Sequence, residues 1–168
     1  MSKPTLHLIM GLPGAGKSTL AQVLESLTGA HRLSSDEFRL QLFIEPCFSQ
    51  KEHDSLYAIL DHNVEHLLEA GYDVIYDANL NRHHHRQEKY DLAQKYNARV
   101  RLWYVKTNPK LAKNRRVTEQ DSLLLPKGES SEKMFDRIAN IIEPPTKDEQ
   151  HSTVDGTYIT EKTIAEKL

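Results

Sequence analysis

Short apolar runs alternate with stretches in which apolar residues recur at helical spacing. The apolar and β-branched runs predict strands at residues 6–10, 31–34, 74–76, 100–105 and 152–159. Helix-like stretches lie between most of them. This alternation predicts an α/β fold, a single domain over residues 1–168 with a parallel sheet that helices cover on both faces. Ligands of such sheets collect at the carboxyl ends of the strands, so the segments that follow strands are the candidate sites.

The most regular helix is predicted between Ser49 and Gly71. Ser49 and Glu52 have capping-box spacing, an apolar stripe covers residues 56–68, and Gly71 stands where a C′ glycine is expected. A second stripe follows the first strand and consists of Leu20, Val23, Leu24 and Leu27. Further helices are predicted to start near Asp36, at Asn81, which would cap a helix running to about Tyr96, and at Asn108, which precedes Pro109.

A glycine-rich loop joins the first predicted strand to the first helix and matches the pattern GxxxxGK[ST]. Its glycines allow successive backbone N–H groups to turn inward and surround phosphate oxygens. Lys17 offers a charge to the β- and γ-phosphates, Ser18 offers a hydroxyl to Mg²⁺, and the following helix directs its positive end at the same anions. The sequence therefore predicts binding of a nucleoside triphosphate with Mg²⁺. The predicted binding residues are Gly11, Leu12, Pro13, Gly14, Ala15, Gly16, Lys17, Ser18 and Thr19.

Composition narrows the classes of partner. The 22 basic and 24 acidic residues nearly cancel, so no global positive field recruits nucleic acid, although a local basic groove stays open. Cys47 is the only cysteine, which excludes an intramolecular disulfide, and we interpret it as an ordinary small apolar residue. No apolar stretch approaches the length of a membrane span or a signal segment. We expect a cytoplasmic protein without a membrane partner; its protein partners are unknown.

Asp36 and Arg39 form a candidate acceptor site after the second predicted strand. A carboxylate at a strand end can orient and deprotonate an acceptor hydroxyl, and an arginine three residues later can hold an acceptor-side anion. In the alternative reading, Asp36 is a plain helix cap and Arg39 lies on a solvated helix face. The spacing alone leaves both open.

Asp77 ends the third predicted strand and is the favoured metal-side residue, because a carboxylate there can hold a metal-bound water. Asn79 and Asn81 follow it, and for both the alternatives are substrate positioning and ordinary turn chemistry, which we favour for Asn81. The run from His83 to His85 is interpreted as a polar helix face, since adjacent helix positions point about 100° apart and share a metal poorly.

Arg115 and Arg116 are candidates for a lid, predicted at about residues 109–130. Guanidinium groups that close over a moving phosphoryl group stabilise its charge and exclude water. The alternative is a solvated basic helix face, and the sequence does not say which arginine would face the phosphates.

The chain resembles small P-loop kinases over about residues 5–142. Three motifs carry the resemblance, in this order: the phosphate loop, Asp36 to Arg39, and Asp77 to Asn81 followed by lid arginines. The group includes bacteriophage polynucleotide kinase, zeta toxins and many predicted ATPases with an AAA domain. The resemblance implies a P-loop NTPase sheet of five strands in the order 2-3-1-4-5, with a helical lid. It also implies ATP as the donor, Asp36 as the general base for the attacking hydroxyl, and Arg39 as a contact to the acceptor's phosphate.

The expected activity is therefore an ATP- and Mg²⁺-dependent transfer of the γ-phosphate to a hydroxyl acceptor. That acceptor is a polynucleotide 5′-hydroxyl or a small molecule. Two alternatives stay open: a switch or binding protein that hydrolyses the nucleotide, and a toxin-like kinase of a cell-wall precursor.

Overall fold

The computed structural model describes residues 3–119 and 124–168, and within these ranges strands and helices alternate. The strands are β1 (Thr5–Gly11), β2 (His31–Ser34), β3 (Val74–Asp77), β4 (Arg99–Lys106) and β5 (His151–Asp155). The helices are α1 (Lys17–Thr28), α2 (Ser35–Leu42), α3 (Gln50–Glu69), α4 (His83–Lys95), α5 (Pro109–Thr118), α6 (Ser131–Ile141) and α7 (Glu161–Ala165).

The five strands form one parallel sheet in the order β2-β3-β1-β4-β5, which confirms the predicted fold class and order. Strand β1 is central, because Leu6 pairs with Val74 of β3 on one side and with Val100 of β4 on the other. All seven residues of β1 are buried. The carboxyl ends of all five strands therefore meet at one edge of the sheet.

Alternate residues of β1 enter two separate apolar clusters, as the two-residue period of a strand requires. Leu6, Leu8 and Met10 pack with apolar residues of α3 and α4. Ile9 packs in the second cluster with residues of α1 and α7. Helices thus cover both faces of the sheet, as predicted.

Local sequence signals mark several helix ends correctly and fail at the start of α4. Asn108 accepts a hydrogen bond from the backbone N–H of Lys110, with Pro109 in the first turn, and Gly71 follows α3 with a φ of 84°. Asn81, predicted to cap α4, does not: Arg82 occupies the N-cap position, and the backbone N–H of Asn81 donates to the side chain of Asn79. The cap prediction for Asn81 is wrong because Asn79 forms the turn instead.

Helices α6 and α7 were not predicted. Helix α6 begins after Ser130, whose hydroxyl accepts from the backbone N–H of Lys133, and it buries Met134 and Phe135. It packs beside α5, where Lys113 forms ion pairs with Asp136 and Glu132. The predicted lid at 109–130 therefore includes α5 and the segment leading to α6, whereas its residues 120–123 lie outside the described residues.

Candidate active site

A cavity of about 1220 Å³ lies at the edge of the sheet where the strands end. Segments after β1, β2, β3 and β5 line it, together with α5 and α6. Drug-sized ligands occupy pockets of roughly 300 to 1,000 Å³, so this volume suffices for a nucleotide with a second molecule beside it. All the residues named above as candidates for chemistry line the cavity: Lys17, Ser18, Asp36, Arg39, Asp77, Arg115 and Arg116.

The glycine-rich loop forms one wall of the cavity. Its lining residues are Pro13, Gly14, Gly16, Lys17, Ser18 and Thr19, while Gly11, Leu12 and Ala15 complete the loop without lining this cavity. Gly14 has a φ of 74°, and a Cβ there would lie 2.1 Å from the carbonyl oxygen of Ala112. Only glycine allows the loop to lie this close to the backbone of α5. The loop and the predicted lid helix are thus in direct contact.

Lys17, the first residue of α1, folds over its own loop. Its Nζ donates to the carbonyl oxygens of Gly11 at 3.0 Å and Leu12 at 2.9 Å. Burial lowers the pKa of Lys17 to about 8, an effect that Asp77 opposes and Arg116 reinforces. The side chain is held at the loop, where a triphosphate is expected to bind.

Asp36 lies in the first turn of α2 and is open to the cavity. The cap of that helix is Ser34, whose hydroxyl accepts from the backbone N–H of Glu37, so the alternative in which Asp36 is the cap is wrong. Desolvation raises the pKa of Asp36, whereas the positive charge of Arg116 is the largest influence that lowers it. A carboxylate with a raised pKa that faces a cavity suits proton abstraction.

Arg39 is buried, with 4% of its surface exposed, and the alternative of a solvated helix face is wrong for it. Its guanidinium pairs with Glu52, contacts His53 Nδ1 at 3.1 Å and lies 4.4 Å from the centre of the Phe48 ring. Burial raises the pKa of Glu52, but hydrogen bonds from Cys47 and Arg39 overcome this and lower it to about 2. The Ser49 half of the predicted capping box forms, and Glu52 binds Arg39 and two loop N–H groups instead of reaching back.

Asp77 is held by an arginine that the sequence analysis missed. Arg32 donates from Nε at 3.0 Å and from Nη2 at 2.6 Å, both to Oδ2 of Asp77. Its Nη1 also lies 3.4 Å from Glu37. The position of Arg32 two residues before the end of β2 was the available signal, because the neighbouring parallel strand β3 ends at Asp77.

The donor set fits Mg²⁺ bound largely through phosphates and water. Ser18 and Asp77 present hard oxygen atoms to the same cavity. In residues 3–119 and 124–168, no group of three or more His, Cys, Asp or Glu side chains is arranged to hold a metal ion. Mg²⁺ beside a phosphate loop does not need such a group, because it keeps several waters and uses one or two protein ligands.

The two adjacent arginines of α5 differ in their surroundings. Arg115 donates from Nη1 to the carbonyl oxygen of Gly156, 3.0 Å away in the loop after β5. Arg116 has a buried Nε with no hydrogen-bond partner among the described residues, and its charge acts on both Asp36 and Lys17. Burial lowers the pKa of Arg116. Neither arginine lies on a fully solvated helix face.

The cavity is more basic than the chain. Among its described lining residues, eight are Lys or Arg and five are Asp or Glu, although the whole chain has a net charge of −2. Such a local excess inside a concave site attracts anionic ligands. A local basic region, which the sequence analysis left open, is therefore present in this cavity.

The polar residues after β3 divide between the turn and helix α4. Asn79 and Asn81 line the cavity, with the Asn79 side chain closing the turn. The rings of His84 and His85 lie 4.1 Å apart, and the backbone N–H of His83 donates to Glu143. None of the three histidines lines the cavity among its described residues.

The parallel sheet, the strand-to-helix phosphate loop and the cavity together define a P-loop protein with a kinase-like fold. The chain belongs to the AAA domain family, whose sequence profile matches residues 6–145. No curated protein sequence matches the chain. In the described ranges, no helix has both the length and the apolar character that crossing a membrane requires.

Solved structures carry the same fold at low sequence identity. A candidate kinase of Chloroflexus aurantiacus is 18% identical, with a TM-score of 0.77 over 98% of this chain and 96% of that one. The APS kinase CysC of Mycobacterium tuberculosis, solved with AMPPNP and APS, is 18% identical, with a TM-score of 0.67 over 98% and 95%. A chain of the Pnkp1/Rnl/Hen1 RNA repair complex is 24% identical, with a TM-score of 0.68 over 84% of this chain but 46% of that one.

Proposed function

We propose that this protein is an ATP- and Mg²⁺-dependent kinase that transfers the γ-phosphate to a hydroxyl acceptor. The observation that carries the proposal is that one cavity contains a phosphate loop with Lys17 and, on another wall, the Asp36 carboxylate followed by the buried Arg39. A protein that only hydrolyses or senses a nucleotide can use a carboxylate to orient water, but it has no need of a buried cation such as Arg39 on the acceptor side of that carboxylate.

In the proposed reaction, an acceptor hydroxyl attacks the γ-phosphorus. A new oxygen–phosphorus bond forms, the bond between the γ-phosphorus and the β,γ-bridging oxygen breaks, and ADP leaves with that electron pair. The hydroxyl proton passes to the Asp36 carboxylate. Ser18 and Asp77 would hold Mg²⁺, directly or through water, and the bound ion would supply positive charge to the phosphate oxygens.

The roles of the other residues follow from their contacts. Lys17 and the loop N–H groups bind the β- and γ-phosphates. We assign Arg116 rather than Arg115 to the transferring group, because Arg116 has an unsatisfied Nε and acts on Asp36, whereas Arg115 is bonded to Gly156. Arg32 positions Asp77 through its two hydrogen bonds.

The test compares Asp36→Asn with Lys17→Ala by radiolabelled ATP transfer across oligonucleotides, nucleotides, sugars and sugar nucleotides. Asp36→Asn should lower kcat by about 10²- to 10⁴-fold, because a positioned general base contributes that much, and should leave ATP affinity within twofold. Lys17→Ala should weaken ATP binding itself. Full turnover by Asp36→Asn contradicts the base assignment, and acceptor-independent hydrolysis without transfer favours the switch alternative.

A further inference from the structure

Three aromatic rings line the cavity beside Asp36 and Arg39, and no motif in the sequence singled them out. Phe48, His53 and Tyr57 form this surface, which we call the aromatic wall. The Phe48 ring meets His53 edge-on at 6.2 Å, and His53 lies nearly parallel to Tyr57 at 6.4 Å. Each residue is partly exposed, so the wall presents ring surface to the cavity.

The loop before α3 holds Phe48 in an unusual conformation. Phe48 has a φ of 57°, and within the described ranges only one other residue besides glycine, Asn97, has a positive φ. A bulky residue rarely adopts this conformation, and such strain concentrates at functional sites. The Glu52 carboxylate holds the loop by accepting hydrogen bonds from the backbone N–H groups of Cys47 at 2.6 Å and Phe48 at 3.2 Å. The Phe48 ring is thereby placed over Arg39.

The protonation state of His53 follows from its partner. Arg39 Nη2 lies 3.1 Å from His53 Nδ1, and a guanidinium only donates, so Nδ1 accepts and the ring proton is on Nε2. Desolvation and the positive charge of Arg39 lower the pKa of His53. Burial raises the pKa of Tyr57, whose hydroxyl accepts from the backbone N–H of Asn79. The wall is therefore three neutral rings with one cation, Arg39, at its edge.

The wall lies beside the proposed base, because Asp36 and the three rings line the same cavity and the charge of Asp36 acts on the Tyr57 hydroxyl. Arg39 follows Asp36 by three residues, which is a rise of roughly 4.5 Å along α2. The Phe48 ring is centred 4.4 Å from the Arg39 guanidinium. An acceptor whose hydroxyl meets Asp36 can therefore extend along Arg39 to the rings of the wall.

We propose that the aromatic wall binds the nucleobase of a nucleoside or nucleotide acceptor, with the acceptor's hydroxyl at Asp36. This inference rests on the proposed kinase function and specifies its acceptor. Bases of every kind stack on aromatic side chains, and the basic character of the cavity suits an acceptor that also carries phosphate. The donor's phosphates bind on the separate wall formed by the glycine-rich loop.

The experiment measures transfer from ATP to adenosine 3′-monophosphate and to methyl ribofuranoside 3-phosphate, which keeps the furanose ring, its 5-hydroxyl and the phosphate but lacks the base. The wild type should prefer the nucleotide. Phe48→Ala should raise the KM for the nucleotide about 5- to 150-fold, the value of one base stack, and leave the KM for ATP within twofold. Phe48→Trp should restore the preference. Tyr72→Ala, which removes an exposed ring outside the cavity, is the matched control and should change neither constant.

Binding without turnover separates this inference from the proposed function. Calorimetry of adenosine 3′-monophosphate in the presence of AMPPNP should give binding that Phe48→Ala weakens, with thermal unfolding showing that the variant is folded. Binding without any transfer would overturn the kinase proposal and keep the wall. Equal turnover of methyl ribofuranoside 3-phosphate, an unchanged preference in Phe48→Ala, or failure of the nucleotide to bind would overturn the wall proposal. A rise in the KM for ATP alone would assign the wall to the donor's base, which also overturns it.

Discussion

Arg39 and Arg86 are both buried and both paired with a glutamate, yet their surroundings differ. Arg86 is fully buried and donates to Glu149 at 2.7 and 2.9 Å, to the carbonyl oxygen of Leu80 at 3.0 Å and to that of Glu143 at 3.0 Å. Arg39 pairs with Glu52, but its other neighbours are an imidazole nitrogen and an aromatic face, and it lines the cavity.

The two glutamates do not reveal this difference. Hydrogen bonds from their partners overcome burial and lower the pKa of both Glu52 and Glu149 to about 2. Arg86 joins the start of α4 to the segment before β5, and so closes the chain across the Pro144 and Pro145 break. Burial and pairing are therefore the same in a structural arginine and a candidate binding arginine. Their remaining neighbours distinguish them, because Arg86 donates to backbone carbonyl oxygens whereas Arg39 has one side open to a cavity.

The largest effect on stability is expected from breaking the ion pair between Arg86 and Glu149. Arg86→Met leaves Glu149 buried without its partner, which should lower the free energy of unfolding by about 3–5 kcal/mol. Urea denaturation measures it, with the exposed Arg99→Met as the control. A loss below 1 kcal/mol for Arg86→Met would mean that the pair does not hold the C-terminal segment.

Breaking the ion pair between Arg39 and Glu52 should lower the stability by less and should also weaken binding of the acceptor. Arg39→Met should lower the free energy of unfolding by about 3 kcal/mol, at the lower end of the range because Arg39 lines the cavity and its removal opens a path for water to Glu52. Below the unfolding temperature, the KM for a phosphate-bearing acceptor should rise at least tenfold and the KM for ATP should not change. If Arg86→Met raised the acceptor KM equally, the distinction between the two arginines would fail.

The pH dependence of stability distinguishes the two buried ion pairs from another buried polar residue, His7. The His7 ring accepts a hydrogen bond from Trp103 Nε1 at 3.1 Å. Burial lowers the pKa of His7 from 6.5 to about 4. The unfolded chain therefore binds more protons between these values, and stability falls as pH falls through this range, by about 2 to 3 kcal/mol. The two glutamates, with lowered pKa values, lose their contribution only as pH falls below 4.5.

Denaturant titrations from pH 7 to 4.5 in the wild type and in His7→Asn test whether His7 causes the loss of stability in this pH range. Asn offers an acceptor near the position of Nδ1 and does not titrate, so the slope with pH should flatten in the variant. An undiminished slope would show that His7 is not the source of the acid sensitivity between pH 7 and 4.5.

The smallest effect is expected at an ion pair of comparable geometry on the surface. Arg137 donates to Glu129 at 2.8 and 2.9 Å, and half of the arginine side chain is exposed. Arg137→Met should change the free energy of unfolding by less than about 1 kcal/mol in the same urea assay. A loss matching that of Arg86→Met would show that pairing, rather than burial, sets the cost.

Local patterns predicted what local contacts decide. The strands, the loop around Lys17, the Ser49 and Asn108 caps and the glycine after α3 all depend on residues within a few positions of one another. The prediction fails where a nearby residue competes. The Asn79 side chain accepts the backbone N–H of Asn81 and closes the turn, and Arg82 rather than Asn81 occupies the N-cap position of α4.

The sequence predicted which residues form the candidate site more completely than it predicted how those residues are arranged. The sequence by itself determined a phosphate loop between a strand and a helix, and acidic groups at two further strand ends, because these depend on order along the chain. Only the tertiary structure decided that Arg32 holds Asp77, 45 residues away, and that Arg86 binds Glu149, 63 residues away. It also decided that Arg39 lies between Glu52 and the aromatic wall. Such contacts arise from packing of elements distant in sequence, and no local spacing encodes them.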